Sequence, residues 1–397
     1  MKRICRACSG QNLFEMIDLG SLPIAHRLLS RPDEAEKKYP FVLHCCADCG
    51  LIQICEPIDP ALLYFDYNYC FSSWKPEPHI EDEAKAIFSQ VAVNSVLEIG
   101  CNDGKFLELL KIKGARSLFG IEPNRVAGRQ AAAKGFNLYP GLFNAKLCAK
   151  IVKDSPKFDL VVARQVLEHL LDIKDFFACV DALLEPKGHL FIDLPDFEAS
   201  LSMGDCSMLW EEHVSYFTEP VIRNTLLRFG FAPVFVKKYD FSGGTIAILA
   251  KRSRPVNNGH SAEELVENAR KFRQKAGNYG KLIHEILGQY RNKKHKIILY
   301  GVGCRACTVV NYLGLGEYID FAVDDQSQRQ NKYMPGSRLQ ILPSQAIREL
   351  GGPVLCLLAV NQENENSVKR TLNACAEQKI DFVSLFSPDA VLAQRSK

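Results

Sequence analysis

No apolar run in the 397 residues approaches the ~20 that a membrane helix needs. The longest such stretches, Pro353 to Val360 and Ile297 to Tyr300, read as buried strands. The opening residues Met1-Lys2-Arg3-Ile4-Cys5-Arg6 hold no apolar core of a secretory signal, so the expectation is a cytoplasmic protein with no membrane partner. Charge of one sign is also scarce. With 49 Lys plus Arg against 46 Asp plus Glu the formal net charge is +3, and the expectation is no nucleic-acid partner, since phosphate backbones demand a strong basic excess. Low-complexity segments and short-period repeats are missing, which excludes solenoids. What remains is an ordinary balance, 47% hydrophobic and 24% charged, in a chain long enough for two or three domains with their own cores.

Cysteine is the exception to this plainness. There are 15, an odd number in a long chain without an export signal, so a disulfide scaffold is a poor reading and a metal site a good one. Cys5-Arg6-Ala7-Cys8 and Cys46-Ala47-Asp48-Cys49 form two CxxC knuckles, each followed by small or turn-forming residues, Ser9-Gly10 and Gly50. Four thiolates satisfy a tetrahedral zinc ion and leave no open position, so Cys5, Cys8, Cys46 and Cys49 point to a structural Zn2+ in a zinc-ribbon-like module with an inserted loop. His44 and Cys45 stand beside the second knuckle as competing ligands. Cysteines such as Cys101, Cys206 and Cys356 lie in apolar surroundings and read as small core residues.

The chain divides into a zinc-binding module at 1–60, an aromatic and helical connector at 61–94, an α/β domain at 95–251, a linker with a long helix at 252–294, and a second α/β domain at 295–397. Strand candidates in the first α/β domain are Ser95–Ile99, Ser117–Ile121, Leu160–Ala163, Leu190–Leu194 and Thr245–Leu249, with helical stretches between them. A helix is expected from about Glu81 to Val91. Ser261-Ala262-Glu263-Glu264 is a capping box opening an amphipathic helix that ends near Arg291-Asn292-Lys293-Lys294.

After the first of these strands comes Gly100-Cys101-Asn102-Asp103-Gly104, with Glu98 inside the strand. An acid followed by Gly-x-x-x-Gly is the pattern of class I S-adenosylmethionine (SAM) binding, because glycines admit the cofactor close to the backbone. Glu98 and Asp103 suit the cofactor's ammonium, Glu122 at the end of the next strand suits the ribose hydroxyls, and Leu142 and Phe143 suit the adenine ring. Gly100, Asn102 and Gly104 shape the loop. Gln165, Glu168 and His169 follow the strand through Val162, where strand ends form a ligand crevice.

A second glycine turn, Gly301-Val302-Gly303, precedes Arg305 and opens a helix, and Asp324-Asp325 lies about twenty residues on. The anion-binding physics of Gly301, Gly303 and Arg305 fits an NAD pyrophosphate and a nucleotide-sugar pyrophosphate alike, with Asp325 at the strand end. The chemistry-bearing stretch is Trp210-Glu211-Glu212-His213-Val214-Ser215-Tyr216. Glu212 beside His213 suits a general base, and Tyr216 and His169 suit donation to an oxyanion. Tyr67, Tyr69, Ser72 and Ser73 belong to a dense aromatic cluster that is either interdomain packing or a set of hydroxyls facing a polar substrate.

The joint order of the two CxxC knuckles, the SAM loop, Glu212-His213-x-Ser215-Tyr216-Phe217, Tyr300-Gly301 and Pro335-Gly336 resembles the bacterial sugar C-methyltransferases over nearly the whole chain. The resemblance implies a zinc-binding N-terminal domain, a class I SAM-methyltransferase Rossmann-like domain and a second, Rossmann-like C-terminal domain holding the nucleotide. It also implies a nucleotide-sugar substrate methylated at a ring carbon next to a 4-keto group. Three domains enclosing one site can work as a single chain, so the expectation is a monomer or weak homodimer. Residue by residue the resemblance places the family's base on His213, its acidic neighbour on Glu212 and a further histidine on His169. Trp210 and Glu211 stand where the family has Tyr and His, and Arg305 where it often has Lys. The alternatives from the residues alone are a zinc-module RNA methyltransferase, an NAD-dependent oxidoreductase working through the Gly301 turn, and a non-catalytic nucleotide-binding scaffold.

Overall fold

The computed structural model describes residues 3–64, 77–256, 262–375 and 377–386. The chain forms two compact units, each assembled from separated segments: 1–14, 45–198 and 212–264 make the first, and 15–44, 199–211 and 265–397 the second. No helix among the described residues is long and apolar enough to cross a membrane.

Three strands open the chain: β1 (Leu13–Pro23), β2 (Lys38–Cys46) and the short β3 (Ile52–Ile54). The first unit then lays down β4 (Ser95–Ile99), β5 (Ser117–Glu122), β6 (Asn137–Pro140), β7 (Phe158–Arg164) and β8 (Leu184–Pro195) in parallel. After β9 (Ser215–Tyr216), β10 (Phe231–Tyr239) and β11 (Thr245–Arg252) complete a seven-stranded sheet of order β10-β11-β8-β7-β4-β5-β6. β11 runs antiparallel between β8 and β10. The central strands are buried on both faces, as continuous runs such as Leu160-Val161-Val162-Ala163 require. Their side chains pack with Phe106, Leu107 and Leu110 of the helix Lys105–Ile112 and with Ile80, Ala84 and Ile87 of the helix His79–Gln90.

Two strands of this sheet, β6 and β10, lie outside the strand candidates read from the sequence. Both are edge strands with half-exposed residues, Pro140 and Pro233 interrupt their patterns, and β10 carries Lys237-Lys238. The order of strands reverses between β4 and β7, and at such a switch point a parallel sheet opens a ligand crevice beyond its strand ends.

The second unit contains the helix Glu263–Asn292 from Leu265 onward and a five-stranded parallel sheet. Its strands are β12 (Lys296–Tyr300), β13 (Phe321–Val323), β14 (Ile341–Leu342), β15 (Val354–Leu358) and β16 (Ile380–Ser384), in the order β14-β13-β12-β15-β16. Ile298, Val323, Cys356, Leu358 and Leu372 form its core. None of the cysteines whose side chains are described is in a disulfide.

Candidate active site and zinc centre

The four knuckle cysteines converge in the first unit. Cys5 Sγ lies 3.5 Å from Cys49 Sγ and Cys8 Sγ 3.6 Å from Cys46 Sγ. Sulfurs about 2.3 Å from a tetrahedral zinc are themselves under ~4 Å apart, so this donor set fits the ion. Four sulfurs this close repel one another as thiolates, so the set needs a cation among them. The Gly10 amide reaches Cys8 Sγ at 3.4 Å, and a Cβ at Gly10 would meet the Asp48 carboxylate.

Beyond β4 the chain turns through Gly100, Asn102 and Gly104, all with positive φ. A Cβ at Gly100 would lie 2.6 Å from the Val166 side chain, which packs the loop against the turn after β7. Glu98, in register with Gly120 and Val162, is buried, and its Oε2 has no hydrogen-bond partner among the described residues. Burial pushes its carboxyl up to about 8. Asp103 is buried beside it. The Glu122 carboxylate accepts the Asn102 amide at 2.8 Å and the Asn124 amide at 2.7 Å, bracing the loop, and burial raises it to about 7. The Gly141 amide donates to the Glu122 carbonyl at 3.1 Å, bringing the half-buried Leu142 and Phe143 to the same strand end. Gln165, at φ 50°, is held by Asp193 twice: its amide donates to the Asp193 carbonyl and its Nε2 to Oδ1, each at 2.7 Å.

Beneath this crevice lies a buried ionic group that sequence reading missed. Arg164 donates to Glu83 at 3.1 Å, to Asp193 at 3.2 Å and to Glu77 at 3.1 Å, and stacks over Phe106. His79 Nε2 lies 3.6 Å from Asp193, and Lys105 pairs with Glu77 at 3.0 Å.

The two predicted histidines meet edge to face, with ring centroids 4.8 Å apart. His169 Nδ1 lies 2.8 Å from the Glu212 carbonyl, an acceptor only, so that nitrogen carries the proton and Nε2 the lone pair. Tyr64 Oη completes the group, 3.0 Å from the same Nδ1 and 3.4 Å from the same carbonyl. Burial lowers the His169 pKa, and burial followed by the neighbouring His169 lowers that of His213 well below the ordinary 6.5. Tyr216 is buried with its ring 6.0 Å from that of His213.

The acid gathered with the imidazoles is Glu168, whose carboxyl lies within 4.8 Å of ligand atoms on both rings and 3.8 Å from His169 Nε2. Glu212 meets the group at its carbonyl, and its charge raises the His169 pKa against the effect of burial. Burial pushes Glu168 well up, and both its oxygens lack a hydrogen-bond partner among the described residues. The sequence places Glu168 in the crevice with Gln165 and His169 but gives it no role beside the two rings. Tyr64, at the end of the helix Pro60–Tyr64, opens the aromatic cluster and was not among the candidate site residues.

In the second unit Gly301 has φ 99°, and a Cβ there would sit 2.6 Å from the Ala359 carbonyl oxygen, so packing alone requires glycine. A Cβ at Gly303 would meet nothing within 4 Å; this residue leads into the helix Cys304–Tyr312. Arg305 donates to the Ser207 carbonyl, to Ser207 Oγ at 2.7 Å and to Asn361 Oδ1 at 2.9 Å, and stacks over Phe386. Asp325 accepts from Tyr300 Oη at 2.6 Å and from the Ser344 amide. Asp324 accepts from the Val302 and Gln326 amides and from Arg329. Tyr67, Tyr69, Ser72 and Ser73 lie outside the described residues.

Family models match three consecutive stretches: "Putative zinc binding domain" over residues 5–64, "Methyltransferase domain" over 77–235 and "C-methyltransferase C-terminal domain" over 241–386. The chain is 27% identical over 362 residues to C-methyltransferase NovU of Streptomyces niveus, covering 86% of each protein. It is 35% identical over 104 residues to the mitochondrial ubiquinone biosynthesis O-methyltransferase of Bos taurus, 24% of this chain and 27% of that protein. A solved SAM-dependent methyltransferase from Mesorhizobium loti aligns with a TM-score of 0.34 at 16% identity, covering 43% of this chain and 96% of that one.

Proposed function

The chain belongs to the SAM-dependent C-methyltransferase family, and from that premise we propose that it methylates a ring carbon of a nucleotide-linked 4-keto-deoxysugar in deoxysugar biosynthesis. The observation that carries the reading is the His169–His213 pair, the second ring buried and the first half-buried, tied to the cofactor loop. The Val214 amide, next to His213, donates to the Glu168 carbonyl at 2.8 Å, and Val166, two residues before Glu168, packs on Gly100.

Glu98, Gly100, Asn102, Asp103 and Gly104 would hold the methionine part of SAM, Glu122 the ribose, Leu142 and Phe143 the adenine, and Gln165 the rim. Bound SAM supplies an electrophilic methyl group for a carbon nucleophile. His213 takes the proton from the carbon next to the ketone. Its lowered pKa keeps the imidazole neutral, and so able to accept, throughout the neutral range. The Tyr216 phenol donates to the ketone oxygen as it gains negative charge. His169 is oriented by its bond to the Glu212 carbonyl and stacks edge-on against the base. The zinc thiolates take no part in the chemistry, since a four-sulfur set leaves no position for substrate. The diphosphate of the carrier is assigned to the turn at Gly301 and Gly303, and the sugar hydroxyls to Tyr67, Tyr69, Ser72 and Ser73. Arg305, whose guanidinium already holds Ser207 and Asn361, adds positive charge to that helix start, and Asp325 stands at the neighbouring strand end.

The test is incubation with SAM and a panel of 4-keto-6-deoxy nucleotide sugars, read as the mass gain of one methyl group. His213→Ala should abolish that gain while SAM binding persists. A panel without any methylated product, or a His213→Ala enzyme that keeps most of its turnover, would overturn the reading.

A further inference from the structure

The first zinc knuckle reaches further than its metal. Arg6 sits between the ligands Cys5 and Cys8, yet its side chain points away from the sulfurs and donates to two main-chain carbonyls. Nη1 reaches the Val214 oxygen at 2.9 Å and Nη2 the Ile54 oxygen at 2.6 Å. Val214 follows His213 directly. The Ile54 amide donates to the same Val214 oxygen at 3.0 Å, so that carbonyl accepts from both a strand amide and a guanidinium. The knuckle is fastened to β3 a second time. The Arg6 amide donates to Gln53 Oε1 at 2.9 Å, and Gln53 Nε2 returns a bond to the Ile4 carbonyl at 3.0 Å. β3 in turn pairs antiparallel with β9, Gln53 opposite Ser215 and Ile52 opposite Tyr216. Val214, Gln53 and Ile54 are all buried.

We infer that the zinc knuckle is a positioning device for the catalytic segment: Arg6 holds the main chain at Val214 and so fixes the ring of His213. The bound metal would set the Cys5–Cys8 turn, the turn aims the guanidinium, and its planar fork spans two carbonyls that a single ammonium cannot span. A metal bound there would act on the placement of the base through Arg6 alone and not on the proton transfer itself. Charge-assisted donors buried against main-chain carbonyls are among the stronger single contacts of a fold. A displacement of about 1 Å at a reacting group costs on the order of 100-fold in rate.

The inference rests on the reading of His213 as the base, so its test has one arm that needs no substrate. Arg6→Met keeps the unbranched apolar stem of the side chain and removes both donors; Arg6→Lys restores one. In zinc-replete full-length protein, hydrogen exchange of the peptide over 212–218 should be faster in Arg6→Met than in wild type and intermediate in Arg6→Lys. Zinc content and SAM affinity should stay within about two-fold, well under the ~1.4 kcal/mol of a tenfold change. With an accepted sugar, kcat of Arg6→Met should fall roughly 10- to 100-fold. The deuterium isotope effect at the abstracted position should rise, because proton removal becomes limiting. Unchanged exchange over 212–218 would overturn the anchoring of the segment. Faster exchange with unchanged kcat and isotope effect would overturn its bearing on the base. If no sugar is turned over, the functional reading fails, and the exchange arm still decides the anchoring.

Discussion

Replacing Glu98 by glutamine should stabilise the cofactor-free protein and weaken its hold on SAM. Burial, ahead of any neighbouring charge, raises this carboxyl to about 8 from an ordinary 4.5; Arg164 opposes the rise and Glu77, Glu122 and Asp103 add to it. Below 4.5 the group is protonated in the folded and unfolded chains alike, and glutamine differs little from it. Between 4.5 and about 8 the unfolded chain has released the proton that the folded chain retains, so the wild type loses stability steadily across that window. At 1.36 kcal/mol per pH unit the whole gap is roughly 5 kcal/mol, an upper bound that glutamine escapes. In the proposed cofactor pose the ammonium of SAM would add a countercharge to that of Arg164. Losing that charge-assisted bond should cost ~1.5–3 kcal/mol of binding, a Kd about 10- to 100-fold weaker. Melting curves of both apo-proteins from pH 5 to 8.5, with calorimetric SAM titration at pH 8, measure the two effects. The variant should melt several degrees higher at pH 8, with the difference closing toward pH 5. A variant no more stable than wild type at pH 8, or one binding SAM with undiminished affinity, would refute the reasoning.

Stripping zinc with a chelator, or Cys46→Ser, should lower the melting temperature and speed exchange in the first sixty residues, since structural zinc contributes folding energy directly; metal analysis with a thermal scan checks it. Because burial and the neighbouring His169 lower the His213 pKa, kcat at saturating substrates should stay level as pH falls through 6.5 and drop only below it. An acid limb at or above 6.5 in the kcat profile would contradict that assignment. Gly301→Ala should cost about 2–4 kcal/mol, from a left-handed backbone and a Cβ driven against the Ala359 carbonyl, read as a fall in melting temperature.

What the sequence made legible was local. Glu98 within a short apolar strand, two glycines four residues apart and an acid one strand on are contiguous signals, and the strand at Ser95–Ile99 has the bounds its pattern suggests. Edge strands β6 and β10 were not legible, because half-exposed residues blunt the alternation. Contacts across long separations were invisible. Arg305 reads as an anion binder beside a glycine turn, yet its fork is occupied by Ser207, 98 residues earlier in the chain, and by Asn361. Glu212 beside His213 reads as a side-chain partner of that ring, and nothing in the sequence signals that its carbonyl also meets His169 Nδ1. Glu168 and Tyr64 join the pair only because β7 delivers one and the helix Pro60–Tyr64 the other.

Arg164 gives the cofactor domain a single point of failure. One guanidinium answers three carboxylates drawn from residues 77, 83 and 193, and thereby rivets the helix His79–Gln90 to β7 and β8. Losing any one acid leaves the arginine two others, but losing the arginine leaves three buried acids with Lys105, His79 and Gln165 to answer them. Such a quartet drifts only as a set: an apolar replacement becomes tolerable once all four members change together, and each route through an arginine-less intermediate crosses a steep barrier.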